Sequence, residues 1–338
     1  MKSLLVIGGT GFIGSNAVAS FLKDGWDVTV LDNLSRKGTK QNLEWLQKNY
    51  PNVKFIKADI CTDQSLLDQA VEGKDAVLHL AAQVAVTTSV TDPRTDFEIN
   101  ALGTFNVLEA IRKSKARPII LYSSTNKVYG GMEDVEVIEK DGRYVYKDFI
   151  GASEERILDF HSPYGCSKGA ADQYVRDYAR IYGLRTIVFR QSCIYGYRQF
   201  GIEDQGWVAW FTIAALLDKK LTIYGDGKQV RDVLFIDDLV QAYKLAIAHI
   251  ATTSGQVYNI GGGPNFQMSL LELLKHLEKQ LNKKIPYTYA DWRPGDQKVF
   301  VCDIKKAKKD FGWEPKVGVE KGVSLLADWV KENKELFM

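Results

Sequence analysis

The chain has 338 residues, which is long enough for a large hydrophobic core and for two lobes. Its 44 basic and 42 acidic residues nearly cancel and form no long basic run, so nucleic acid is not an expected partner. The longest candidate for a membrane span, residues 207–217, is too short for one, and the four cysteines are scattered. We therefore expect a cytoplasmic protein with reduced thiols, no membrane association and no metal site.

The chain opens with a short apolar run, residues 4–7, that ends in a glycine-rich turn. Such a run is too short for a signal peptide and predicts a first strand. The spacing of Gly9, Gly11 and Gly14 satisfies the dinucleotide-binding fingerprint, and a shifted form of the pattern uses Gly8, Gly11 and Gly14. These glycines permit a tight turn and close approach of the backbone to a pyrophosphate, which the N–H groups of the following helix would bind.

Residues 27–31 predict the second strand. Asp32 follows it about 20 residues after the glycines, where an acidic residue binds the adenosine ribose diol. A carboxylate at this place repels a 2′-phosphate, which favours NAD over NADP. Arg36 is close enough in sequence to serve a phosphate, so the residues favour NAD without excluding NADP.

Further apolar runs predict strands of the same parallel sheet, at residues 53–58, 75–80, 118–124, 184–189 and 257–260. Asp59 and Ile60 follow one of them and are expected beside the adenine. Ala81, Ala82 and Gln83 follow another, and the small side chains there would let a cofactor pass close to the backbone. The sequence therefore predicts a doubly wound, Rossmann-like α/β parallel sheet with a smaller C-terminal substrate lobe.

The segments between these strands give weaker signals. Residues 92–113 predict one helix, and Asn100 in its middle is either a polar anchor behind the site or an ordinary exposed residue. His79, inside a predicted strand, is expected to pack in the core. Residues 133–160 are polar with little periodicity, so we expect an irregular insertion.

The candidate chemistry lies in residues 162–168. Ser162 can cap a helix and Pro163 suits its first position, so Tyr164 and Lys168, four residues apart, share one helix face. An ammonium near a phenol favours the phenolate and lowers its pKa. Such a pair can take a proton from an alcohol while a hydride leaves the same carbon. Thr125 follows the strand at 118–124 and is placed to hydrogen-bond the same oxygen.

Together these features resemble the extended short-chain dehydrogenase/reductases that act on nucleotide sugars. The resemblance covers nearly the whole chain and is carried by the glycine turn, Asp32, Thr125 and the Tyr164/Lys168 pair. It implies that Thr125, Tyr164 and Lys168 are the catalytic residues. It also implies a tightly held NAD that is reduced and reoxidised within one turnover.

Three longer stretches, residues 122–130, 161–173 and 195–207, are most similar to family members that epimerise C2 of a CDP-hexose. The resemblance therefore implies a CDP-hexose substrate. It also implies a homodimer that pairs through the helices beginning near residues 92 and 163.

The residues expected to contact the cofactor are Gly8, Gly11, Phe12, Ile13, Gly14, Asp32, Asn33, Arg36, Asp59, Ile60, Leu80, Ala81, Ala82, Gln83, Asn100, Ser123, Tyr164 and Lys168. Those expected to contact the substrate are Ser89, Thr125, Asn126, Arg231 and Arg293. Arginine suits a diphosphate because its planar fork binds two oxygens at a time.

Four alternatives to C2 epimerisation differ in what they require. The family's 4,6-dehydratases carry Asp-Glu directly after the active-site Thr, whereas Asn126 and Lys127 stand here, so no carboxylate pair is present for removing water. The 4-epimerases of UDP-sugars use the same hydride chemistry and are the main rival. A non-catalytic dinucleotide sensor would be expected to lack the Tyr164/Lys168 pair, and a net reductase would consume NADH.

We expect residues 1–190 to form the NAD-binding domain that carries the catalytic residues. Residues 191–338 are expected to form mainly the substrate lobe, with 232–262 returning to the sheet. Trp207, Trp210 and Phe211, at helical spacing, are expected to fill a core, although stacking on a base is the alternative.

The first prediction concerns the cofactor. Purified protein should contain NAD, and Asp32→Ala should weaken NAD binding and relax the discrimination against NADP, because the carboxylate that repels the 2′-phosphate is gone. Mass spectrometry of the extracted cofactor and titration of the variant with both dinucleotides test this. NADP bound to the purified wild type would contradict it.

Overall fold

The computed structural model describes residues 1–293 and 295–337. Its strands are β1 (Ser3–Ile7), β2 (Asp27–Asp32), β3 (Lys54–Lys57), β4 (Ala76–His79), β5 (Ile119–Thr125), β6 (Val137–Lys140), β7 (Arg143–Tyr146), β8 (Thr186–Gln191), β9 (Cys193–Tyr195), β10 (Leu221–Tyr224), β11 (Val230–Phe235), β12 (Gln256–Ile260), β13 (Gln267–Ser269), β14 (Tyr287–Ala290) and β15 (Val299–Phe300).

The helices are α1 (Phe12–Lys23), α2 (Thr39–Asn49), α3 (Gln64–Val71), α4 (Val86–Thr91), α5 (Pro93–Phe97), α6 (Gly103–Lys113), α7 (Ser162–Tyr182), α8 (Trp207–Leu216), α9 (Ile236–Ala248), α10 (Ile250–Thr253), α11 (Leu270–Leu281), α12 (Lys305–Phe311) and α13 (Val319–Glu332). Within the described part of the chain, no helix has the length and apolar character needed to cross a membrane.

A seven-stranded parallel sheet forms the centre of the molecule, in the order β12-β8-β5-β4-β1-β2-β3. Helices cover both of its faces, so both faces of a strand are buried. In β1, for example, Leu4 and Val6 join one core cluster whereas Leu5 and Ile7 join the other. The predicted doubly wound Rossmann-like fold is confirmed.

The turn between β1 and α1 requires glycine at three places. Gly8 has φ +80°, and a Cβ there would lie 2.6 Å from the Ala81 amide nitrogen. A Cβ at Gly14 would collide with the Gly8 carbonyl oxygen, and one at Gly9 would lie 2.9 Å from the Val6 carbonyl oxygen. Both forms of the fingerprint therefore include close approaches of this turn.

The single helix predicted over residues 92–113 is wrong, because the structure divides it. Asp92 caps α5, and a π-helical turn spans Glu98–Leu102 before α6 begins. The Thr104 hydroxyl donates to the Asn100 carbonyl oxygen at 2.6 Å, which satisfies a group that the widened turn leaves free. The turn also lets the Asn100 side chain point into the protein, where it is 1% exposed.

The segment expected to be irregular contains an antiparallel hairpin, β6–β7. Asp141 and Gly142 form its tip with φ values of +52° and +77°. An Asp-Gly pair between two strands is a strong hairpin signal, so this hairpin could have been predicted from the sequence. The hairpin packs on the C-terminal lobe, where the Tyr146 hydroxyl donates to the Val299 carbonyl oxygen at 3.1 Å.

The C-terminal part of the chain contributes to both lobes. Strand β12 forms the edge of the main sheet beside β8, and α9 packs on α1. Strand β11, however, pairs with β9, β13 and β15 in a smaller separate sheet. Segment 232–262 therefore returns to the main sheet through α9 and β12 only. Helix α13 lies on α8 in the smaller lobe.

Candidate active site

Helix α7 begins at the carboxyl edge of the sheet, and two hydroxyls fix its first turn. Ser162 has φ +65°, and its Oγ accepts a hydrogen bond from the Gly165 amide at 3.2 Å, as expected of a cap. The Ser89 Oγ accepts another from the Tyr164 amide at 3.1 Å. Ser89 is fully buried and is not among the residues that line the cleft, so its expected contact with substrate stays a prediction. It supports the first turn of α7.

Tyr164, Thr125 and Lys168 lie together at the wall of one cleft, as the sequence predicted. Tyr164 is 8% exposed and Lys168 is 3% exposed. The Lys168 Nζ donates to the Ser123 carbonyl oxygen at 2.6 Å and lies 4.3 Å from the centre of the Tyr122 ring. The ammonium is thus held against the end of β5 rather than left to move freely.

The pKa values in this wall are set mainly by burial. Burial raises the pKa of Tyr164, and the hydrogen bond with Thr125 offsets only part of that rise. Burial lowers the pKa of Lys168 to about 7, against the opposing effect of the Asp172 and Asp96 carboxylates. The expectation that Lys168 by itself lowers the Tyr164 pKa is therefore not met in the free protein.

Buried carboxylates anchor α7 at two points. The Asp172 carboxylate receives the Arg190 guanidinium from β8 at 2.9 and 3.0 Å, and the Ser124 hydroxyl from β5 at 2.8 Å. The Ser167 hydroxyl donates to Asp96 at 2.5 Å. These contacts fix the rotation of α7, because a helix that turned would leave buried charges unpaired.

Asn100 and Gln83 were expected to touch the cofactor, and the structure places both behind the cleft wall. The Asn100 side chain accepts from the Gln83 amide at 3.0 Å and donates to Asp96 at 3.1 Å. Gln83 donates to Asp96 at 2.8 Å. Asn100 is therefore a polar anchor behind the site and not an ordinary exposed residue. Both residues stiffen the loop after β4 instead of lining the cleft.

The cleft continues from this wall to the glycine turn. The expected cofactor residues that line its far end are Gly8, Gly11, Phe12, Ile13, Gly14, Asp32, Asn33, Arg36, Asp59, Ile60, Leu80, Ala81 and Ala82. Ser123, Tyr164 and Lys168 line the near end.

The far end of the cleft fits a dinucleotide. The Asp32 carboxylate is fixed by the Thr10 amide at 3.1 Å and the Leu34 amide at 2.9 Å. Its position at the end of β2 is where a ribose diol is bound in this kind of fold. The space left by the missing side chains of Gly8 and Gly14 is what close approach of a pyrophosphate needs.

A loop of the substrate lobe also lines the cofactor end, and sequence reasoning missed this. Arg198, Gln199, Phe200 and Gln205 all face that end of the cleft. Gln205 accepts a hydrogen bond from the Arg36 guanidinium at 2.6 Å, across the two lobes. The sequence signal was the polar composition of this loop, but its position depends on tertiary packing against α2.

The near end of the cleft is lined by four of the expected substrate residues, Thr125, Asn126, Arg231 and Arg293. Arg293 pairs with Asp204 at 2.9 Å and lies 3.7 Å from the centre of the Tyr224 ring. The residues that were not anticipated there are Lys127, Cys193, Glu203, Asp204, Trp207, Tyr224, Gln229 and Asp296.

The aromatic residues of α8 divide between core and cleft. Phe211 is 4% exposed and belongs to the core, as expected, but it also lines the cleft. Trp207 is partly buried against the core and lines the cleft as well. Trp210 packs on the core. All three side chains pack in or on the core, as expected, and Trp207 and Phe211 also form part of the cleft wall.

Comparison with known proteins places this architecture in a family. The sequence model of the protein family described as GDP-mannose 4,6 dehydratase matches residues 5–326. The chain is 48% identical to CDP-paratose 2-epimerase of Salmonella typhi, over 96% of this chain and 98% of the relative.

Two solved structures have the same fold. UDP-glucose 4-epimerase of Thermotoga maritima with UDP-glucose superposes with a TM-score of 0.84 at 32% identity, over 98% of this chain and 99% of that one. UDP-glucuronic acid 4-epimerase of Bacillus cereus, in complex with UDP-glucuronic acid and NAD, gives 0.83 at 30% identity with the same coverage. The chain therefore belongs to the GDP-mannose 4,6 dehydratase family, within the extended short-chain dehydrogenase/reductases.

Proposed function

We propose that this protein is an NAD-dependent nucleotide-sugar epimerase that inverts C2 of a CDP-hexose and interconverts CDP-paratose and CDP-tyvelose. The observation that carries the proposal is the 48% identity, over nearly the full length of both chains, to a CDP-paratose 2-epimerase. The cleft supports it, because the Tyr164 hydroxyl group and Thr125 lie at one end and a dinucleotide cradle lies at the other.

NAD is the cofactor that the site and the family agree on, since a solved relative of this fold holds it. When bound, NAD supplies a positively charged ring that accepts a hydride and later returns it. Asp32 would hold its adenosine ribose, the turn at Gly8 to Gly14 its pyrophosphate, and Lys168 its nicotinamide ribose.

The protein's own groups handle the proton. We assign Tyr164 as the base that takes the proton of the reacting hydroxyl and the acid that returns it. Its raised pKa keeps the free phenol protonated, so positive charge at Lys168 and in the occupied cleft is needed for the phenolate. Thr125 positions the same oxygen, and its Oγ1 is itself held by the Lys127 amide at 3.2 Å.

Dehydration and 4-epimerisation are the rival reactions. Asn126 and Lys127 offer no carboxylate for the elimination of water, which argues against dehydration in spite of the family's name. A 4-epimerase of UDP-sugars uses the same Tyr164 chemistry and differs in which carbon faces the cofactor. Reaction of both nucleotide classes, followed by NMR of the products, separates the two.

We also propose that the two lobes have different roles. Residues 1–190 hold NAD and carry the catalytic residues, and residues 191–338 mainly bind the substrate. Arg231 and Arg293, both on the smaller lobe, are the candidate contacts for the diphosphate.

Tyr164→Phe tests the proton carrier. The variant should fold, retain NAD and lose at least about 10²-fold in kcat, the usual scale for general acid–base catalysis. Tyr178→Phe is the matched control, because it lies on the same helix with its hydroxyl on Glu109 at 2.8 Å, away from the cleft. Near-normal turnover of Tyr164→Phe would remove Tyr164 from this role.

Isotopes decide which carbon is oxidised. In the direct route, Tyr164 takes the C2 hydroxyl proton, so deuterium at C2 should slow the reaction and remain at C2 of the product. The competing route oxidises C4 and then breaks and remakes the C2–C3 bond as a retro-aldol. Slowing by deuterium at C4 instead would show that Tyr164 acts on the C4 hydroxyl.

We propose a homodimer that pairs through α5, α6 and α7. Large apolar side chains stand exposed along these helices, with Phe97 57%, Tyr174 49% and Ile181 66% exposed. Tyr174→Glu with Ile181→Glu should shift the sedimentation coefficient from dimer to monomer. Ile157→Glu, on an exposed residue elsewhere, is the control. A wild type that sediments as a monomer would contradict the proposal.

A further inference from the structure

Lys127 lies in the substrate cleft, two residues after Thr125, and the proposed mechanism gives it no role. It belongs to the 3₁₀ turn Asn126–Tyr129, which continues directly from β5. Its backbone amide donates to the Thr125 Oγ1 at 3.2 Å. The start of the Lys127 side chain is therefore fixed relative to the group that positions the reacting hydroxyl.

The Lys127 ammonium reaches across the cleft to the smaller lobe. Its Nζ lies 3.4 Å from the Gly295 carbonyl oxygen. The charged and titratable groups around it are Arg231 on β11, Asp296 in the loop after Arg293, and Cys193 on β9. Across the described residues, neither Lys127 nor Arg231 forms a salt bridge with a carboxylate.

Lys127 and Arg231 line the same cleft, and two cations there repel each other until an anion binds. Burial and the charge of Arg231 lower the pKa of Lys127 to about 8, against the opposing effect of the Asp296 carboxylate. Arg293 differs, because Asp204 already neutralises it. Lys127 and Arg231 are thus the cations of this cleft that are left for an anion near Thr125, whereas the charge of Arg293 is already paired.

The covalent structure of a nucleotide sugar says which anion fits. The diphosphate is attached to C1, so C2 is the neighbour of the phosphorylated carbon and C4 lies across the ring from it. If C2 reacts at Thr125 and Tyr164, the β-phosphate must lie beside these residues. If C4 reacts there, the β-phosphate lies a ring's width away. Lys127, whose backbone amide is bound to the Thr125 Oγ1 and whose side chain lines the same cleft, matches the first arrangement.

We propose that Lys127 binds the β-phosphate of the substrate and thereby selects C2, rather than C4, as the carbon that faces the cofactor. This inference rests on the proposed function, because it names the residue that sets its regiochemistry. Lys127 acts with Arg231. The Lys127 ammonium and the Arg231 guanidinium replace the water around the phosphate by charge-assisted hydrogen bonds.

Binding of CDP and CMP tests the phosphate contact without turnover. Lys127→Met should weaken CDP about tenfold or more, the scale for one charge-assisted hydrogen bond, and leave CMP unchanged. UDP and UMP are measured in parallel, so the result does not depend on the base. Lys298→Met is the matched control, because its ammonium lies 5.0 Å from the Tyr144 ring centre, outside the cleft.

Proton uptake provides a readout that a structural role would not change. Because the pKa of Lys127 is lowered to about 8, part of the population lacks the ammonium proton at mildly alkaline pH. Phosphate at its side raises the pKa, so CDP binding should take up more protons at pH 8 than at pH 6, where the ammonium is already formed. Calorimetry in buffers of different ionisation enthalpy measures this uptake, which Lys127→Met should lose.

Regiochemistry tests the selection step. Substrates are deuterated at C2 or at C4, and the deuterium transferred to the cofactor from each carbon is compared. The share that comes from C4 should be larger for Lys127→Met than for the wild type. Mass spectrometry of the enzyme-bound cofactor gives that share.

The outcomes separate this inference from the proposed function. Equal loss of CDP and CMP affinity in Lys127→Met, or no loss of either, would overturn the phosphate contact even if C2 epimerisation is observed. An unchanged C4 share would overturn the selection. A wild type that reacts only at C4 while Lys127→Met still weakens CDP alone would disprove the proposed function and keep the phosphate contact.

Discussion

Helix α7 is joined to the central sheet by a fully buried ion pair, in which Arg190 donates to both carboxylate oxygens of Asp172. A buried pair adds little net stability, because each charge loses its hydration, but breaking one costs about 3–5 kcal/mol. Any rotation of α7 would break it. Tyr164 and Lys168 therefore keep their place at the cleft wall, and the Ser167–Asp96 contact holds the first turns of the same helix.

Burial governs the chemistry of the cleft as much as residue type does. It raises the pKa of Tyr164 and lowers those of Lys168 and Lys127, so every one of these groups is pushed toward its neutral form in the free protein. The phosphate proposed to bind at Lys127 would raise its pKa again, and positive charge near Tyr164 would favour the phenolate.

The two ends of the cleft share lining residues, so cofactor and substrate meet along one continuous surface. Gln199 and Gln205, from the loop after β9, face both ends. Through Gln205 this loop contacts Arg36 of the first lobe, and through Asp204 it contacts Arg293 of the second. One short segment therefore connects the adenosine end, the diphosphate end and the two lobes.

The sequence by itself determined the periodic and local features. Apolar runs gave the strands of the main sheet, glycine spacing and Asp32 gave the cofactor end, and the four-residue spacing of Tyr164 and Lys168 placed both on one helix face. Tertiary structure decided what depends on distant partners. Asp96 and Gln83 hold the Asn100 side chain of the π turn inside the protein, and the Ser89 Oγ supports α7 through a contact 75 residues away. Lys127 gained neighbours from the other lobe, which no local pattern can encode, because side-chain environment depends on residues far apart in the chain.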